Sequence, residues 1–153
     1  MQPRLDDDSG SEFVYPTDRL LKLGDILSAK EMHTPNNTNS QDRPMRYVVK
    51  RGLATLTTIG CLTGFESHTR RYAIGKRDSI EAAVYPYDND SGAFSARGDS
   101  GSVIVDGSGN FAALLTGGAG LRPSSDITYG TPMHWLWEVI KAEFPQANLS
   151  FDD

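Results

Sequence analysis

The chain has 153 residues, 38% of them hydrophobic and 23% charged, which fits one globular domain long enough to bury a core. Its formal net charge is −5 and no run approaches the ~18 apolar residues of a membrane span, so neither nucleic acid nor a membrane is an expected partner. The single cysteine, Cys61, cannot form an intrachain disulfide, and the acidic first residues contain no apolar signal core. Both features favour an intracellular setting over a secreted fold that needs no staples.

Residues 1–44 read as an N-terminal tail and linker carrying one short strand and one short helix. The first sixteen hold Asp6-Asp7-Asp8 and no periodic apolar pattern. The apolar run from Leu20 to Leu27 predicts a short strand. Ser28-Ala29-Lys30-Glu31 is a capping-box pattern and predicts a helix that starts at Ser28 and passes Met32. Residues 34–44 are polar and rich in Asn, Ser and Pro, and predict an exposed loop.

From Arg46 the chemistry changes. Tyr47-Val48-Val49-Lys50 and Leu53 to Leu62 predict two strands, with Arg51-Gly52 as a tight turn between them. Arg70 to Ile74 and Ile80 to Tyr85 predict two more. Val103-Ile104-Val105 and Phe111 to Thr116 flank Asp106-Gly107-Ser108-Gly109-Asn110, a strong hairpin signal. Ile127-Thr128-Tyr129 is a further short strand. Short strands at this spacing predict an all-β barrel or sandwich over about residues 45–131. After Pro132, apolar residues at Met133, Trp135, Leu136, Val139, Ile140 and Phe144 show spacing of three and four. They predict an amphipathic helix near 133–143, ended by Pro145. The barrel and helix together span 45–146, and 147–153 form a tail.

The sharpest local feature is Arg97-Gly98-Asp99-Ser100-Gly101-Ser102-Val103. Glycines on both sides of a serine permit a strained turn that projects the hydroxyl and aims nearby N–H groups at one spot. Acyl transfer needs a nucleophile and donors for the oxyanion placed in that way. By itself the pentapeptide fits a nucleophile turn or an ordinary polar turn equally well.

The context of the run resembles the trypsin-like (chymotrypsin-fold) serine peptidases. A hairpin follows the serine, then a strand entering Thr116-Gly117-Gly118-Ala119-Gly120. A tyrosine-bearing strand, Ile127 to Pro132, and a C-terminal helix come next. The resemblance covers about residues 45–145 and is strongest from Phe94 to Ile140. The Gly-Asp-Ser-Gly-Ser form is similar to versions in microbial and fungal relatives, and the chain as a whole looks most like the C-terminal part of fungal trypsin-like proteins.

The resemblance implies a roughly six-stranded antiparallel Greek-key β-barrel with a C-terminal α-helix, half of a chymotrypsin-like double barrel. It implies Ser100 as nucleophile, the amides of Gly98 and Ser100 as oxyanion donors, and Asp99 as the residue that orients the loop. It places Phe94 and Ser95 at the base of a specificity pocket. Thr116 falls where a serine supports the acid of the triad. The edge Thr116-Gly117-Gly118 would bind an extended peptide by strand addition, and Gly117 replaces a bulky aromatic and so opens one subsite. Neither cofactor nor metal is implied, and the substrate is a peptide or protein.

A serine hydroxyl is a weak nucleophile without a base. The family supplies that base, with its acid, from a barrel preceding the serine. Here the only histidines are His33, His68 and His134. His33 and His68 read as loop and turn residues and His134 as the start of the C-terminal helix, none of them a partner of Ser100. The expectation is therefore a serine endopeptidase domain that needs an upstream His/Asp-bearing barrel as partner. The alternative is a non-catalytic, peptidase-like module that binds a peptide or a protein.

Overall fold

The computed structural model of the chain describes residues 20–38, 42–71, 77–119 and 127–149. The acidic run at Asp6 to Asp8, the expected strand residues 72–74 and Gly120 lie outside these.

Ser28 caps α1 (Ala29–His33) as its pattern predicts. Its hydroxyl accepts from the Glu31 amide at 3.3 Å, and Glu31 Oε2 accepts from the Ser28 amide at 2.8 Å. Before it, the expected strand at 20–27 reduces to a single parallel bridge between Ile26 and Phe111. Leu20 and Leu23 of that run stay exposed, Leu21 and Ile26 pack beside Val105, Phe111 and Met133, and the backbone bonds to Gly109 and Phe111 are too few to make a ladder. The expected loop at 34–44 contains a two-residue strand, β1 (Asn37–Thr38), paired with Met45 and Pro44.

Six strands follow: β2 (Pro44–Gly52), β3 (Leu56–Arg71), β4 (Arg77–Pro86), β5 (Val103–Asp106), β6 (Phe111–Ala119) and β7 (Ile127–Pro132). They pair antiparallel in the order β2-β3-β4-β7-β6-β5. β5 then returns to β2 through Val48–Asp106, Val49–Val105 and Lys50–Ile104. The result is a closed six-stranded antiparallel barrel, with the ends of β3 and β6 running on past their β2 and β5 partners.

Two boundaries differ from expectation. The β2–β3 turn lies at residues 53–55, beyond Arg51-Gly52, and Leu56 enters β3 with a left-handed φ of 56°. β3 is one strand of 16 residues where two separate strands were expected. A register shift between Leu62 and Glu66, with Gly64 at φ 83°, bends it in the middle. Beyond the bend β3 pairs with β4 outside the barrel wall, so its polar residues Glu66, His68 and Arg70 remain exposed. That polarity is why the sequence pattern breaks there.

Period-two alternation fills the barrel. Val48, Leu62, Val84 and Ile104 point inward, each no more than 2% exposed, and each contributes about 1.5–3 kcal/mol by leaving water. Phe94, from the loop between β4 and β5, and Leu27 and Met32, from the N-terminal segment, join the same core. Gly60 makes room for Phe94, since a Cβ there would lie 2.6 Å from Phe94 Cδ2. On the outer face Val105, Phe111 and Met133 form a second cluster with Val103, Leu136 and Leu149. This cluster seats α2 (Met133–Glu143), which leaves Trp135, Val139 and Phe144 exposed beside it. Among the described residues no helix is long and apolar enough to cross a membrane.

Candidate active site

Ser100 sits on the connection from β4 to β5. Two tight turns overlap at Asp99: its amide donates to the Ala96 carbonyl at 3.0 Å, and its carbonyl accepts from the Ser102 amide at 3.0 Å. The glycines on either side of the serine take left-handed conformations, φ 107° at Gly98 and 88° at Gly101, which side chains rarely adopt. Two bonds fasten the exit of the turn to β6. The Gly101 amide donates to Leu115 O at 2.8 Å, and the Leu115 amide to Ser102 O at 2.9 Å. Ser100 is exposed. Among the described residues, the amides of Gly98 and Ser100 and the Ser100 hydroxyl have no hydrogen-bond partner.

Beneath this exposed turn lies a buried polar hub. The Asp99 side chain is fully buried. Its Oδ1 accepts from the amides of Ala54 at 2.7 Å and Thr55 at 3.3 Å. Its Oδ2 accepts from the Thr55 hydroxyl at 2.7 Å and the Ala96 amide at 3.0 Å, and stands 3.2 Å from Lys50 Nζ. Burial by itself would raise the Asp99 carboxyl. The Thr55 hydroxyl, the Ala96 and Ala54 amides and the Lys50 ammonium outweigh that and hold it well below the usual carboxylate range.

Lys50 is as buried as its partner. Its Nζ meets Thr55 Oγ1, Leu56 O at 3.3 Å and Asp99 Oδ2, and lies 5.7 Å from the centre of the Phe94 ring. Three acceptors match the three donors of an ammonium. Lys50 is thus committed to the hub, and no bond joins it to Ser100.

The remaining expected residues lie on two sides of the turn. Phe94 is fully buried, and its carbonyl accepts from the Thr58 hydroxyl at 2.7 Å. The Ser95 hydroxyl lies 2.6 Å from that of Thr128, which ties the loop to β7. Thr116 falls at a register shift between Leu115 and Gly117, after which Gly117 and Gly118 pair with Tyr129 and Thr128. A Cβ on Gly117 would meet no heavy atom within 4 Å, so the space over it is open. Thr116 Oγ1 donates toward Glu81 Oε2 at 3.3 Å, and Thr131 Oγ1 donates to the same oxygen at 3.0 Å. Glu81 is 6% exposed and is a buried acid that sequence reasoning passed over.

The histidines are elsewhere. His33 Nε2 pairs with Glu66 Oε1 at 3.1 Å, and its Nδ1 lies 2.6 Å from Ala29 O. Glu66 lies past the bend of β3, whereas Thr55 of the hub lies in the turn that precedes that strand. His68 is exposed beyond the bend. His134 lines a small surface concavity with His33, Glu66, Met32 and Phe65, and no residue of the Ser100 turn borders it. Among the described residues, no group of three or more His, Cys, Asp or Glu is arranged to hold a metal ion.

Sequence reasoning also missed Lys50, Thr55 and Gly52. The alternation Arg46, Val48, Lys50 carried the available signal, because it places two cations on the same inward face as an apolar residue. Such cations require buried anions, and Arg46 finds Asp106 at 3.0 Å as Lys50 finds Asp99. Compared with protein-family models and with curated proteins, the chain has no match.

Proposed function

We propose that Ser100 is the nucleophile of a serine endopeptidase-type acyl transfer, in a domain of the Greek-key, chymotrypsin-like half-barrel kind. One observation carries this: an exposed serine between two left-handed glycines, with the Gly98 and Ser100 amides unpartnered beside it. In this mechanism Ser100 Oγ attacks the substrate carbonyl carbon as a base takes its proton. The carbonyl electron pair moves onto oxygen, where the two amides receive it. The carbon–nitrogen bond then breaks, the amine leaves with the proton, and water releases the acyl group. The strand order, in which β4 is followed around the barrel by β7, supports the Greek-key assignment. The Thr116–Gly118 edge would hold the substrate as an added strand.

The base would come from a partner barrel, because none of the three histidines bonds to the Ser100 turn. That same separation favours the second reading, a peptide-binding module without turnover. Free imidazole can replace an absent histidine and separates the two. Incubation with a fluorophosphonate should slowly add the phosphonyl group to Ser100, faster as imidazole is raised, and not at all in Ser100→Ala. Peptide hydrolysis by this chain alone should stay near background. If intact-mass analysis finds no adduct on Ser100 at any imidazole concentration, the nucleophile assignment fails. Rapid hydrolysis without imidazole would overturn the need for a partner.

A further inference from the structure

We infer that the charge of Lys50, carried inside the barrel wall, is what positions the Ser100 turn; the inference rests on Ser100 as nucleophile. Lys50 is itself buried and makes no bond to Ser100, so it is a positioning residue. The chain of contacts is short. Lys50 Nζ holds Asp99 Oδ2 at 3.2 Å and the Leu56 carbonyl at 3.3 Å. Asp99 in turn receives the Ala96 amide at 3.0 Å and the Ala54 amide at 2.7 Å. Ala96 and Asp99 are the two ends of the turn that contains Gly98, and Ser100 is the next residue. Orienting Asp99 therefore orients both amides proposed to receive the oxyanion.

Two features show that the surroundings are shaped for this cation. Leu56 adopts φ 56°, unfavourable for a branched side chain, and its carbonyl is the third acceptor of the ammonium. Lys50 and Asp99 are also both fully buried, so neither charge has water to replace its partner. A neutral residue at position 50 would leave the Asp99 carboxylate short of its counter-charge while filling nearly the same volume.

The test measures phosphonylation of Ser100 in the full chain, with imidazole present. Lys50→Met should slow it about 100-fold, the scale of a 1 Å misplacement. In Lys50→Ala the missing atoms correspond to propylammonium. That ion should restore the rate, and propanol, of similar shape but uncharged, should not. A role in packing alone predicts rescue by both and near-normal rates in Lys50→Met, and either result overturns the inference. If Lys50→Met does not fold, the neutral pair Lys50→Met with Asp99→Asn removes the lone charge. It should fold and remain about 100-fold slow, and a wild-type rate there overturns the inference. If wild type itself shows no Ser100 adduct, the nucleophile assignment fails. The positioning claim is then read from the amide resonances of Gly98 and Ser100. They should shift in Lys50→Ala and return with propylammonium but not with propanol, and unchanged resonances overturn it.

Discussion

A Cβ placed on Gly52 would stand 2.6 Å from Cγ of Asp99 and overlap its Oδ1. Gly52 ends β2, and the carboxylate occupies the space a side chain would fill. Gly52→Ala should therefore push Asp99 off its donors, with a loss of about 1–3 kcal/mol as for other overpacked sites. Urea unfolding would measure that loss, and phosphonylation of Ser100 should slow in parallel. A variant with wild-type stability and wild-type labelling would show that Asp99 has room to move.

The same glycine explains one boundary that the sequence misled. Arg51-Gly52 suggests a turn, yet the turn lies at 53–55. Glycine is present there to admit a carboxylate from a distant loop, and local pattern carries no trace of that loop. Features whose cause is local were legible: the Ser28–Glu31 box, the Asp106–Asn110 hairpin, and the helix after Pro132. The glycine-flanked serine was legible for the same reason. Lys50 and Glu81 were not, because their partners, Asp99, Thr116 and Thr131, come from strands and loops far along the chain.

Asp99 should make stability acid-sensitive. Its carboxyl is held below the usual range in the folded protein, so the folded state binds fewer protons than the unfolded chain. The contribution is fully present above the unfolded value of about 4 and is lost as pH falls through the lower folded value. Asp99→Asn should cost about 3 kcal/mol at neutral pH, since it leaves Lys50 without its counter-charge, and should flatten the decline below pH 4. Denaturant titrations between about pH 2 and pH 7 check both parts. An equally steep acid decline in Asp99→Asn would assign it to other carboxylates.

Cys61 should be inert until the barrel opens. It is 3% exposed, and burial, with the nearby charge of Asp88, pushes its thiol up to about 12. Reaction with a thiol reagent at pH 8 should follow global unfolding and accelerate with added urea. Fast modification of the native protein would require local opening of the β2–β3 pair that carries it.

The barrel closes on a seam of only three residue pairs, between β2 and β5, whereas β2 and β3 share seven. The hairpin ladder needs only a short loop, but the seam joins segments separated by more than fifty residues and bears the larger loop-closure entropy. Both buried ion pairs, Arg46–Asp106 and Lys50–Asp99, reach from β2 to β5 or to the loop leading into it. The same two ion pairs thus tie the sealing of the cylinder to the shaping of the serine turn. In refolding, β-sheet signal should appear first, and phosphonylation of Ser100, the proposed nucleophile, should return only with the slowest phase, which would make that serine a clock for the final closure; its return together with the first sheet signal would separate the turn from the seam.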